Sequence, residues 1–218
     1  MLRHLLENYE HNAFGDQSIQ MLESFYDYPR GFLLLSGGNG VGKSFVAKTI
    51  YHRHTRYKLP QFDSGMAIFI TQSELNLRWT KAGEKHEMMY LLDDMCNTKL
   101  LVLDDIGTRV PTPAFMDFLY LIADHRNSDS DSLGTILTTN LGAEQLLKDF
   151  GGAFMSRVSS NYVIRVDAPD GRHTNRVISH DKAPSLAKQG SSNAIIAFKD
   201  NCLRIAYKAS NLTIRIFS

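Results

Sequence analysis

The 218-residue chain has only two cysteines, Cys96 and Cys202, and they lack CxxC spacing. That excludes a disulfide framework and argues against a zinc site, and it suits a reducing cytosol. There is no long hydrophobic run. The longest clean ones, such as Phe32-Leu33-Leu34-Leu35, fall far short of the ~18 residues a spanning helix needs, so no membrane segment is expected. The first residues, MLRHLLENYEHN, alternate charge with leucine and have no apolar core of the kind a secretory signal carries. The eight histidines show no metal-ligand spacing such as HExxH.

Net charge is also nearly absent, at +1. This argues against a strongly basic nucleic-acid-coating protein, but the sum hides an asymmetry. Residues 151–218 carry 10 Lys and Arg against 4 Asp and Glu, giving +6, and residues 1–150 carry −5. The positive share points to an electrostatic contact with an anionic partner, DNA in particular, made by the C-terminal part. What the chain does have is core material. Hydrophobic residues make up 43%, including 12 Phe and 9 Tyr, which excludes general disorder and fits one domain with a small appendage.

Residues 1–30 read as helical, with Ile19, Leu22, Phe25 and Tyr26 at helical spacing, Asp16 as the expected N-cap and Pro29 as the close. Apolar strands then alternate with helices. The expected strands are Gly31–Ser36, Met66–Thr71, Leu100–Leu103, Thr135–Thr139 and Tyr162–Val166. The expected helices cover Ser44–His54, Gln72–Asn97, Phe115–His125 and Ala143–Phe150. Continuous apolar strands separated by helices predict an α/β fold, a five-stranded parallel sheet between helices. Residues 178–194 read as a polar linker, and 195–218 as a small antiparallel β tail with period-2 alternation.

Gly37-Gly38-Asn39-Gly40-Val41-Gly42-Lys43-Ser44 matches GxxxxGK[ST] at every fixed position, between an expected strand and helix. Glycines let such a loop wrap so that successive N–H groups, and the helix N-terminus beyond, face a polyphosphate. Lys43 would reach the outer phosphates, Ser44 would offer its hydroxyl to Mg²⁺, and Phe45 follows in the first helical turn. Leu100–Leu103 runs into Asp104 and Asp105. An acid at the C-terminal edge of the sheet, Asp104, can hold Mg²⁺, and Asp105 can polarise an attacking water. Asn140, ending TILTTN, could bond the γ-phosphate or that water; a turn-starting Asn is common at such a place, but the functional reading is favoured. Arg157 could serve a neighbouring subunit's nucleotide or be a solvated surface residue.

In order along the chain, Glu7-Asn8-Tyr9, GGNGVGKS, LLVLDDIG (Leu100–Gly107), IADHRNS (Ile122–Ser128), TILTTNL (Thr135–Leu141) and Met155-Ser156-Arg157 resemble the AAA+ ATPase domain of DnaC-type helicase loaders and their IstB-type transposition-helper relatives. The resemblance covers about four-fifths of the chain, to about Val177, and LLVLDDIG is its most specific run. It implies the P-loop NTPase (AAA+/ASCE) fold, ATP with Mg²⁺ as cofactors, and ATPase activity stimulated by assembly. It also implies a cytoplasmic protein acting in DNA replication, with single-stranded DNA and a replicative helicase as partners. By that resemblance Lys43 and Ser44 match the Walker A pair, Asp104 and Asp105 the Walker B pair, Asn140 sensor 1, and Arg157 an arginine finger through which copies associate. Arg176 lies near the family's second sensor and is not assigned.

Three alternatives stand beside the loader. They are a transposition helper with a transposase as partner, a nucleotide-dependent adaptor that hardly hydrolyses ATP, and a small-molecule P-loop kinase, which the tandem Asp disfavours. Two clusters offer weaker nucleic-acid signals. His52, Arg53, His54, Arg56 and Lys58 better suit a helix C-terminus, and Arg78, Trp79, Lys81 and Lys85 mix an aromatic with basic residues but better suit a solvated amphipathic helix.

Overall fold

In the computed structural model the described residues are 2, 14–56, 67–82, 85–166 and 196–197. They form the elements α1 (Asp16–Asp27), β1 (Gly31–Gly37), α2 (Lys43–Arg56), β2 (Ala67–Thr71), α3 (Gln72–Lys81), α4 (Lys85–Asn97), β3 (Leu100–Ile106), α5 (Pro113–Ser128), β4 (Gly134–Thr139), α6 (Ala143–Val158), β5 (Tyr162–Val166) and β6 (Ile196–Ala197). The sheet order is β2-β3-β4-β1-β5-β6. The first five strands are parallel, as their apolar runs predict, and β6 pairs antiparallel with β5. The expected linker and the rest of the expected tail lie outside the described residues.

Alternation along the strands explains why the sheet is covered on both sides. Leu33, Leu35, Leu100, Val102, Ile136, Ile164 and Val166 join Ile19, Leu22 and Phe25 of α1 and Val46, Ala47 and Ile50 of α2 in one buried cluster. Phe32, Leu34, Leu101, Leu103 and Leu137 join Leu75 of α3, Met95 of α4, Phe115 and Leu119 of α5 and Phe154 of α6 in the other. With Ile70 of β2 in the second cluster, each of the five parallel strands contributes to a core.

The helix ends differ from the sequence reading in instructive ways. Gly15, not Asp16, is the N-cap of α1, and no side chain caps that end. The expected helix over Gln72–Asn97 is two, because α3 ends at Ala82. Thr71 starts α3 by accepting the Glu74 N–H at 3.1 Å, and Thr112 starts α5, with Pro113 in its first turn. The Gly151-Gly152 pair interrupts α6: Gly151 sits at φ 77°, ψ 156°, and the chain resumes helix to Val158. That second piece carries Arg157.

In a parallel sheet all C-terminal strand ends share one edge. Here that edge gathers the loop after β1, the acids ending β3 and the polar residues ending β4. Gly37 must be glycine for close approach: a Cβ there would lie 2.2 Å from the Val166 carbonyl oxygen of β5.

Candidate nucleotide site

Gly38–Gly42 form the loop between β1 and α2, and Lys43, Ser44 and Phe45 form the first turn of α2. Gly40 at φ 72° and Gly42 at φ 97° use backbone conformations that side chains resist. Val41 is fully buried in the α1–α2 core, so only its backbone faces the loop's concave side. Lys43, a residue only 6% exposed, donates through its ammonium to the carbonyls of Gly37 (3.0 Å) and Gly38 (2.5 Å) and to Asn140 Oδ1 (2.8 Å). Asn140 in turn donates through Nδ2 to Asp105 Oδ1 at 3.0 Å. Lys43, Asp105 and Asn140, far apart in sequence, are thus linked in one chain of bonds.

A second chain runs alongside. Ser44 Oγ donates to Asp104 Oδ1 at 2.8 Å, and Thr138 Oγ1 donates to the same oxygen at 2.6 Å. The Asp105 N–H then donates to Thr138 Oγ1 at 2.8 Å. Thr138 thus ties Asp104's carboxylate to Asp105's backbone. The sequence alone does not reveal this, because a Thr in an apolar strand reads as a β-former; its register beside β3 gives it the role.

The two acids face the site through a bulge. Between the Leu103–Leu137 and Ile106–Thr139 pairs, β3 advances three residues while β4 advances two. Asp105 sits there at φ 60°, the left-handed region that Asp tolerates better than most residues. Asp104 is buried and Asp105 half-buried, so one anchors while the other stays reachable.

ATP and Mg²⁺ are the groups the resemblance implies. The donor set fits them: Ser44 hydroxyl and Asp104 carboxylate are hard oxygens already in mutual contact, and the loop offers backbone N–H groups at a helix N-terminus. Among the described residues no group of three His, Cys, Asp or Glu could hold a metal alone. A cation here would therefore complete its shell with water and phosphate oxygens, as Mg²⁺ prefers.

Arg157 lies elsewhere. It closes α6, just before β5 begins, at the N-terminal edge of the sheet, a strand's length of ~20 Å from the loop. Its Nε donates to Asp124 Oδ1 at 2.7 Å, Nη1 donates to the Ala153 carbonyl at 2.8 Å, and the guanidinium lies 4.4 Å from the Tyr120 ring centre. In the weaker basic clusters four residues have local duties: Trp79 packs on Phe115 and Phe118, Arg78 pairs with Glu74, Arg53 lies over Tyr26, and His54 bonds the Tyr26 carbonyl; Lys58 lies outside the described residues.

No protein-family model matches the chain. The curated "Uncharacterized protein YdaV" of Escherichia coli (strain K12) is 30% identical over 132 residues, 58% of this chain and 48% of YdaV, so the chain aligns with about half of that relative. Among solved structures, AMPPCP-bound DnaA from Aquifex aeolicus superposes with a TM-score of 0.61 at 14% identity, covering 74% of this chain and 48% of DnaA. The DnaC helicase loader gives 0.55 at 18% identity, covering 74% of this chain and 98% of that one. DnaI gives 0.53 at 20%, covering 77% and 94%. The chain shares the fold of these solved DnaA, DnaC and DnaI structures. This fold places β1, the strand before the glycine-rich loop, between β4 and β5, with β4 separating it from the acid-bearing β3. No helix among the described residues is long and apolar enough to cross a membrane.

Proposed function

We propose that this chain binds ATP with Mg²⁺, hydrolyses it slowly when assembled with further copies, and acts in the cytoplasm in DNA replication as a DnaC-like loader of a replicative helicase on single-stranded DNA. The observation that carries the nucleotide reading is the pair of bonded chains, Lys43–Asn140–Asp105 and Ser44–Asp104–Thr138, which bring residues from the β1–α2 junction, β3 and the end of β4 to one sheet edge.

The roles follow from chemistry. Gly37 to Gly42 and the first turn of α2 cradle phosphates through backbone N–H groups, and Lys43 neutralises the outer phosphates. Ser44 and Asp104 hold Mg²⁺. Asp105 accepts a proton from the attacking water, and Asn140, bonded to both Lys43 and Asp105, keeps that water in register. MgATP supplies the anhydride bond and the charge that these groups stabilise. Arg157 acts on the nucleotide of a neighbouring copy, which accords with its place on the opposite edge.

The replication reading is supported by the likeness to the DnaC helicase loader and to a DnaA structure bound to AMPPCP and single-stranded DNA, of which this chain covers half. A transposition helper or a low-turnover adaptor would use the same nucleotide site with another partner.

The test is titration with a fluorescent ATP analogue and Mg²⁺, together with phosphate release. Lys43→Ala should weaken binding at least tenfold, whereas Asp105→Asn should keep binding and lose turnover. Wild-type protein that binds no better than Lys43→Ala would end the reading. Pull-downs with ATP and ADP then separate the partners: a hexameric helicase selects the loader, and a transposase the helper.

A further inference from the structure

Gln72 is the first residue of α3 and is only 4% exposed. Its side-chain oxygen accepts the Gly107 N–H at 2.6 Å, and its side-chain nitrogen donates to the Arg109 carbonyl at 2.8 Å. Both partners lie in the loop that follows Asp105. The task is specific to an amide, since the loop presents one donor and one acceptor. A carboxylate can only accept, and a hydroxyl is too short to span both.

That loop needs holding. Asp105 at φ 60° and Gly107 at φ 88° leave the strand conformation, and the bulge between Leu103 and Ile106 removes regular pairing with β4. In its place stand side-chain bonds. Thr138 accepts the Asp105 N–H, Thr108 Oγ1 donates to the Asp105 carbonyl at 2.7 Å, and Thr139 Oγ1 donates to the Ile106 carbonyl at 2.8 Å. Gln72 supplies the next two bonds along, from a different element, and makes them while buried, where a lost partner is costly.

We infer that Gln72 is a positioning residue for Asp105: it fixes the Gly107–Arg109 segment and so holds the Asp105 carboxylate toward Asn140 and the site of the attacking water. It touches neither the carboxylate nor the P-loop. The inference rests on the reading of Asp105 as the hydrolytic carboxylate. A merely structural Gln72 would alter stability alone, whereas a positioning Gln72 alters turnover at unchanged nucleotide affinity.

The experiment uses the full chain as wild type, Lys43→Ala, Gln72→Ala, Gln72→Met and Gln72→Glu, measuring affinity for a fluorescent non-hydrolysable ATP analogue and kcat with saturating MgATP. Gln72→Ala and Gln72→Met are expected to bind within twofold of wild type and to turn over at least tenfold more slowly. In Gln72→Glu a protonated carboxyl can both accept and donate, so its kcat relative to wild type should be highest at low pH and fall as the carboxyl ionises. Wild-type kcat in the Ala and Met variants, or affinity and kcat falling together, overturns the inference. If those two variants do not fold, the pH profile of Gln72→Glu decides, and a profile parallel to wild type overturns it. A wild type indistinguishable from Lys43→Ala overturns the proposed function and this inference with it; wild-type turnover that Gln72→Ala retains overturns the inference alone.

Discussion

Two arginines at the N-terminal edge of the sheet use the same guanidinium in opposite ways. Arg126, in α5, is 0% exposed and has no carboxylate bonded to it among the described residues. Its guanidinium reaches five acceptors: Nε donates to Thr135 Oγ1, the two Nη1 hydrogens are shared among the carbonyls of Met95, Cys96 and Thr98, and Nη2 donates to the Gly134 carbonyl. Arg157 remains partly exposed and leans on one carboxylate, one carbonyl and one ring. Arg126 closes the C-terminus of α4 onto the start of β4, using carbonyls that a helix end leaves unpaired. Its burial lowers its pKa to about 10, which keeps it charged at neutral pH. A buried guanidinium is held here by neutral oxygens, four carbonyls and one hydroxyl, with no carboxylate bonded to it among the described residues, whereas the partly exposed one rests on a single ion pair, one carbonyl and a ring.

The largest break in this comparison comes from Arg126→Met. Five acceptors would lose their donor inside the protein, each at a cost of roughly 1–3 kcal/mol before relaxation. We expect a loss of about 3–5 kcal/mol in urea unfolding, with ATP-analogue affinity of the folded fraction unchanged. Arg126→Lys should recover only part of this, because an ammonium has three donors and no planar fork. A loss under 1 kcal/mol for Arg126→Met would show that the carbonyls find other partners.

Arg157→Ala should do the reverse. The Asp124 pair is half-exposed, so its removal should cost at most about 1 kcal/mol in stability. Nucleotide affinity of the isolated subunit should stay within twofold, while turnover at concentrations that drive assembly should fall at least tenfold. Turnover that is independent of protein concentration in the wild type and unchanged in Arg157→Ala would reduce Arg157 to a surface residue.

The same contrast shows what the sequence makes legible. Strand positions and the parallel sheet follow from apolar runs, because burial on both faces leaves a local signature at β1, β3 and β4. GxxxxGK[ST] and the two acids are legible because their chemistry needs fixed spacing. Arg126 sits inside a motif, IADHRNS, yet nothing local says that it caps a helix 30 residues upstream. Gln72 is a plain polar residue at a helix start, and its partners lie 35 and 37 residues on. The bulge at Asp105 depends on β4's register. The break at Ala82 was obscured because leucine and methionine stripes continue on both sides. Bonds between side chains and distant backbone leave no periodicity to read.

A weaker version of the Arg126 device closes the opposite face. His54, near the end of α2, bonds the Tyr26 carbonyl at the end of α1 at 2.9 Å, with its ring N–H as donor. Burial lowers its pKa below the ordinary 6.5, outweighing the Tyr26 bond that raises it. The folded state therefore takes up a proton less readily than the unfolded chain. Its stabilising contribution is complete above pH 6.5 and is lost as pH falls through the lowered folded value. His54→Gln keeps an amide donor for the Tyr26 carbonyl but does not titrate. Between pH 7.5 and 5.5 wild type should lose more stability in urea unfolding than His54→Gln, by a few tenths of a kcal/mol up to about 1. Parallel losses in the two proteins would assign the acid sensitivity to the other histidines and leave His54 a pH-independent cap, closer to Arg126 than its chemistry implies.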